Sequence, residues 1–321
     1  MKSAKSLGFC FKQGKEKTKP KDLAMCVAES KRQFAPVLFI AKPLAIIMKK
    51  IGTNIIFFLL SISLLAQNAT EGIIKDAETD EPISYVNIGV VNKGKGTVST
   101  DKCGFKFEIP ANLINDSIKL SSIGYQPKSM LAKDFVATLK ANPIIKLLPE
   151  VTELDEVVVI NKKLKEKIIG SKTKSRMFGN GFSNGPLGAE FGSKIRIKDS
   201  PTYIQKFHTN INSNTSEQMK FRLNFYNIKD GLPNEKIVNE NIIFSIKVKE
   251  GEFTLDLEQY NIVVEEDFYC TIELVENQKT DEEIFFSAKY LGRKTAYRLT
   301  SHAEWKINGK IGVGFNYTVK Y

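Results

Sequence analysis

Histidine is nearly missing from this 321-residue chain: there are two, His208 and His302, and neither sits in a His-x-x-Glu or His-Glu-x-x-His pattern. Without that pattern the ligand set of a zinc peptidase is unsupported, and both histidines read as ordinary surface or strand residues. The glycine-rich stretch Met177–Gly192 (MFGNGFSNGPLGAEFG) lacks the Gly-Lys-Ser/Thr of a phosphate-binding loop and the strand–glycine–helix frame around it, so it reads as loop. Long apolar runs are absent too. Ile55–Leu65 is broken by Ser61 and Ser63 and falls short of the ~20 residues that a membrane-crossing helix needs. The acidic clusters Glu265-Glu266-Asp267 and Asp281-Glu282-Glu283 do not follow the calcium-loop spacing and are expected to be solvated turns.

One short apolar segment is nevertheless informative. MKKIGTNIIFFLLSISLLAQ, from Met48, has a lysine start, an apolar middle and Ala66 before Gln67, the pattern of a secretory signal peptide. Translation is expected to begin at Met48, with residues 1–47 an upstream extension that forms no domain and residues 48–66 removed on export. No cysteine stands at the cleavage position, which disfavours a lipid anchor. The charge follows this division. Residues 1–47 carry 10 Lys and Arg against 3 Asp and Glu, and residues 48–66 carry 2 against 0. Of the 47 and 36 in the whole chain, 35 and 33 remain from Gln67 onward, a net of about +2 rather than +11. Nucleic-acid binding therefore loses its main support, and no nucleic-acid partner is expected. Cys10 and Cys26 also lie in the leader, leaving Cys103 and Cys270, which are either one disulfide or two buried thiols.

From Glu71 the chain reads as short alternating strands between turn residues, with no helical period. Asp76 is expected to cap a turn, Pro82 to fix one, and Gly104 and Gly124 to relieve backbone strain. The pieces GIIKDAETDEPISYVNI, GTVSTDKCGFKFEIP and DSIKLSSIGYQ, in that order, resemble the carboxypeptidase regulatory-like domain of Bacteroidetes envelope proteins. The resemblance covers roughly residues 71–148 and implies a transthyretin-like β-sandwich that carries no catalytic residues. The LDEVVV motif at Leu154 commonly closes such a domain and in TonB-dependent transporters leads into a large barrel. Only 161 residues follow Ile160, too few for a ~22-stranded transporter barrel.

The remainder is divided into a linker or loop at 161–192 and a second domain at 193–321. Strand patterns recur throughout that domain, and Phe221-Arg222-Leu223-Asn224-Phe225 alternates as a half-buried strand does. A second antiparallel β-sandwich, jelly-roll-like, is expected, in an all-β chain. A small outer-membrane barrel is the weaker reading, because several strands are shorter than the ~9–11 residues of a spanning strand. Gly181-Phe182-Ser183-Asn184-Gly185 matches Gly-x-Ser-x-Gly, but no buried strand and helix flank Ser183, so a hydrolase would need His208 or His302 brought to it by the fold. Tyr203, Phe207, Tyr226 and Trp305 are the candidate ligand-binding residues, as a sugar-stacking platform; the alternative is that they fill the core. The expected protein is exported, non-enzymatic and without cofactor or metal. It would bind or scaffold an envelope protein or polysaccharide in the periplasm, outer membrane or cell surface, and touch the membrane only through its signal segment.

Overall fold

Alternation of apolar and polar residues accounts for most of the architecture. The computed structural model describes residues 68–150, 164–183, 185–277, 281–291 and 293–321. The segments 1–47 and 48–66 and the LDEVVV motif at 154–159 lie outside the described residues. In the first domain β3 (Lys95–Val98), β2 (Asn87–Val90), β5 (Ser117–Ser121) and β6 (Lys128–Leu131) form one sheet in that order. The facing sheet runs β4 (Gly104–Ile109), β1 (Asn68–Asp76), β7 (Ile144–Leu147). β4 buries Phe105, Phe107 and Ile109 and turns Lys106 and Glu108 to solvent, as a period of two requires. All strand pairs here are antiparallel except β1 with β7.

Two local expectations need correction. α1 (Ala132–Ala141) is a helix in a stretch where no helical period was expected. It buries Ala132, Phe135, Val136 and Leu139, one face at intervals of three and four. Ten residues among short alternating strands give too brief a signal to stand out. Its first turn is held from outside, where Ala132 N–H donates to the Asp116 carbonyl (2.9 Å) and Lys133 N–H to that of Ile114 (2.9 Å). Before β4, the left-handed residue is Cys103 (φ 60) rather than Gly104. Asp76 does cap its turn, accepting the N–H of Glu78 (2.7 Å) and Thr79 (3.0 Å).

The second domain stacks two larger sheets. One runs β13 (Leu232–Lys236), β12 (Lys220–Lys229), β17 (Phe268–Glu276), β10 (Glu190–Ile195), β19 (Thr295–Arg298), β20 (Lys306–Asn308), with β14 (Ile242–Ser245) also on β12. The other runs β21 (Ile311–Val313), β18 (Glu283–Tyr290), β11 (Thr202–Asn214), β22 (Asn316–Lys320), β8 (Glu166–Gly170). β15 (Gly251–Asp256) and β16 (Val263–Val264) join β11, and β9 (Gly179–Ser183) joins β18. Phenylalanines from both sheets meet between them: Phe191 lies 5.7 Å from Phe286, and Phe268 6.2 Å from Tyr317, centroid to centroid. The sheets thus enclose a filled core and no lumen, which removes the barrel reading. The stretch 161–192, expected as linker, supplies β8, β9 and the start of β10. Its basic and glycine-rich composition masks strands whose residues are mostly half-exposed. Both domains belong to one compact unit.

Candidate functional site

β17 reads Phe-Tyr-Cys-Thr-Ile-Glu-Leu-Val-Glu, and all nine residues are buried. Phe268, Cys270, Ile272 and Leu274 face the phenylalanine core. Thr271 and Glu273 face the other way, as do Arg222, Asn224 and Tyr226 of the neighbouring β12. The polar face of Phe221–Phe225 is therefore not solvated, and β12 is buried on both sides: Arg222 is 1% exposed and Asn224 2%. Register completes the arrangement. Arg222 lies opposite Glu273, Glu273 opposite Glu190 on β10, and Glu190 opposite Arg298 on β19. Four adjacent strands thus set a row of charges, arginine–glutamate–glutamate–arginine, across the back of the sheet.

The charges of the row are paired, while Arg222 Nε, Arg298 Nε and Asn224 Oδ1 are left without a hydrogen-bond partner among the described residues. Arg222 Nη1 donates to Glu273 Oε2 at 3.3 Å, and Arg298 Nη2 to Glu190 Oε2 at 2.5 Å. Asn224 separates the two carboxylates, donating to Glu190 Oε1 (2.8 Å) and Glu273 Oε2 (2.9 Å). The Tyr226 hydroxyl donates to Glu190 Oε2 at 3.3 Å. Burial alone would raise the Glu273 carboxyl, but Arg222, Lys236 and Arg298 outweigh it and hold it well below the ordinary range. Neither carboxylate is exposed by more than 1%, so the pair is sealed from substrate and has no access for acid–base chemistry.

What seals it is the first domain. Asn87 of β2 donates to Glu273 Oε1 and to Ser301 Oγ (3.0 Å), and its Oδ1 accepts Arg222 Nη1 at 2.6 Å. Arg222 Nη2 donates to the Tyr85 carbonyl, while the Tyr85 hydroxyl bridges Glu276 and Lys220, each at 3.0 Å. The approach is close enough to require glycine: a Cβ on Gly89 would lie 2.2 Å from the Ser301 carbonyl oxygen, and one on Gly96 2.7 Å from it. Two residues in this interface, Tyr85 (φ 56) and His302 (φ 59), hold left-handed backbone without being glycine. Left-handed backbone is uncommon in such residues and concentrates where the surroundings over-determine it. The covering element is thus a three-on-four sandwich whose turn at Gly124-Tyr125 leads into β6 and α1.

Residues 70–159 match the CarboxypepD_reg-like domain family. Domains of this kind are regulatory, Ig-like and non-catalytic. No curated protein matches the chain significantly. The CarboxypepD_reg-like domain here supplies both the lid of the charge row and one wall of a cleft beside it.

That cleft, about 480 Å³, opens between the domains. Lys119, Ser121 and Ser122 line it from the CarboxypepD_reg-like domain, and Lys236, Arg298 and His302 from the second. Asp230 and Gly231, both at positive φ, turn β12 into β13 and so bring Lys236 opposite Tyr226. The Lys236 ammonium is pushed down to about 8 by burial and then by Arg222. Its amine makes no hydrogen bond or ion pair among the described residues, and neither does that of Lys119.

His302 is held neutral, its pKa pushed down to about 3 by burial first and then by Arg298 and Lys119. Its Nε2 meets Ser121 Oγ at 3.3 Å across the interface. In the unfolded chain a histidine titrates near 6.5, so the unfolded state takes the proton first and stability falls as pH drops below about 6.5. The expected slope from this group is about 1.4 kcal/mol per pH unit. His302→Asn, which tolerates the left-handed backbone, is expected to flatten the fall between pH 6.5 and 5 in urea unfolding. An unchanged slope would show that His302 is not held neutral. His208, also pushed down by burial and then by Lys206 and Lys172, contributes equally to both proteins.

The residues singled out from sequence separate. Phe207 is wholly buried in the core and cannot stack on a sugar. Tyr203, half-buried, lies on β11 in the opposite sheet from Tyr226, and Trp305 directly precedes β20. Tyr226 and Trp305 do meet, but edge to face at 76°, with Arg298 4.8 Å over the indole ring. The four do not form a platform. Ser183 is exposed at the end of β9 opposite Glu283, while His208 is held by Thr254 and Thr318 at 2.8 Å each and His302 meets Ser121, so neither histidine is hydrogen-bonded to Ser183 among the described residues. Asp267 accepts Lys194 (3.0 Å) and the Ile197 N–H (2.9 Å), and Glu282 accepts Ser216 Oγ (3.0 Å). Cys103 and Cys270 are both free and buried, and burial pushes the Cys270 thiol up. Among the described residues no helix is long and apolar enough to cross a membrane.

Proposed function

We propose that this chain is an exported, non-enzymatic protein of the cell envelope that acts by binding or scaffolding through its fused pair of sandwiches. One observation carries the reading: the row of acids and arginines is a cross-domain fastening, its charges paired internally, while the adjoining cleft presents hydrogen-bonding groups and cations, and the His302 imidazole that meets Ser121 there is held down at about 3, too weak a base to activate the hydroxyl. Such a site holds a ligand or partner in place and leaves its bonds intact. The compartment rests on the leader pattern at 48–66, and the resemblance to envelope modules favours the same location.

Fractionation of expressing cells, with mass spectrometry of the recovered protein, tests this. The expected result is envelope-fraction protein whose first residue is Gln67, with no product released from peptide or polysaccharide panels. Recovery in the cytoplasm with residues 1–47 attached would overturn the export reading, and released product would overturn the non-enzymatic one.

A further inference from the structure

Two lysines of the interdomain cleft make no direct ion pair among the described residues. Lys119 and Lys236 are both half-buried, one contributed by each domain. Arg298, whose side chain is 11% exposed, lies in the same walls but is already paired with Glu190 at 2.5 Å. The acids of the cleft, Glu150 and Glu235, are fully exposed at the rim, where solvent screens them. Glu273 and Glu190 offset part of the Lys236 charge through space, and a ligand that brings an anion into direct contact with either lysine would offset the remainder.

The remaining lining sets the character of that ligand. Ser122, Asn234 and Asn239 offer hydroxyl and amide groups that carry no side-chain hydrogen bonds among the described residues. Ile123, Pro127 and Val238 are the aliphatic contributions. The volume, about 480 Å³, lies inside the range of ~300–1,000 Å³ usual for small-ligand sites. Resting on the binding function proposed above, we infer that this cleft binds a short acidic saccharide, its carboxylate met by Lys236 and Lys119 and its hydroxyls by the serine and asparagine side chains. The lowered pKa of Lys236, about 8, agrees with a cation awaiting a counter-charge, and it makes a bound carboxylate most favourable below that pH.

Titration calorimetry of the full exported protein with digalacturonate, against neutral digalactose and a glutamate-containing dipeptide, tests the inference. Digalacturonate is expected to bind with a Kd below about 1 mM, weakening as salt rises and as pH passes 8. Lys236→Met is expected to weaken binding at least about tenfold, and with Lys119→Met to abolish it. Lys310→Met, outside the cleft, should bind as the parent does. Because Lys236 also supports the buried Glu273 carboxylate, thermal melting is used to check that Lys236→Met is folded, and Lys119→Met alone, expected to weaken binding, provides a second variant. Equal binding of the neutral sugar, preference for the dipeptide, no binding at all, or full affinity in Lys236→Met would each overturn the inference. If binding fails while the protein is recovered from the envelope without enzymatic activity, the saccharide assignment falls and the scaffolding function stands.

Discussion

Arg222→Met is expected to destabilise the folded protein by about 3–5 kcal/mol in denaturant unfolding at neutral pH. The size follows from what the substitution leaves behind. Glu273 is 0% exposed, so it cannot exchange its lost arginine neighbour for water. The Tyr85 carbonyl and Asn87 Oδ1, which accept Arg222 now, would both be stranded inside the interface. Breaking a buried pair costs far more than the pair is worth against an apolar replacement. For that reason the double variant Arg222→Met/Glu273→Gln should recover part of the loss, with a coupling of about 0.5–3 kcal/mol. A single variant within 1 kcal/mol of the parent would show that the row is not paired as described.

Gly89→Val should undock the two sandwiches. The added Cβ would stand 2.2 Å from the Ser301 carbonyl oxygen and 3.0 Å from its carbon, both backbone atoms that no rotamer change can move. Overpacking of this kind costs about 1–3 kcal/mol, here concentrated in the interface rather than in either core. Calorimetry is expected to split one unfolding transition into two, the lower belonging to the docked contact and the domain it frees. Gly309→Ala, where an added Cβ meets nothing within 4 Å, should leave the single transition in place. A single transition in Gly89→Val at the parent temperature would mean that the domains do not depend on this contact.

The sequence was most readable where the structure is local. The Asp76 turn is closed within three residues, and the alternation of Phe221, Leu223 and Phe225 correctly marks the core face of β12. The opposite face of that strand was misread, and the reason is distance: Arg222 finds Asn87 135 positions away, in another domain. A pattern of period two tells that two faces differ and does not tell whether water or another domain covers the polar one. One signal was available: Thr271 and Glu273 stand in the middle of an otherwise apolar nine-residue strand, an expensive place for a charge unless it is paired. Tyr226 was singled out for the wrong reason, since it supports Glu190 from within the sheet, yet it does line the cleft. Helix α1 and the edge strands β8 and β9 were hidden by brevity and by composition.

The ionic nature of the interface has a consequence for how the chain assembles. Before the domains dock, the back of β12, β17 and β10 shows water arginine, glutamate, asparagine and threonine rather than a greasy surface. A face of that composition stays soluble while it waits, whereas an apolar face of equal area would draw other unfinished chains to it. Each sandwich can therefore fold at its own pace, and the cost of stripping water from the charges falls on the final step, when Asn87 and the Tyr85 carbonyl arrive to replace it.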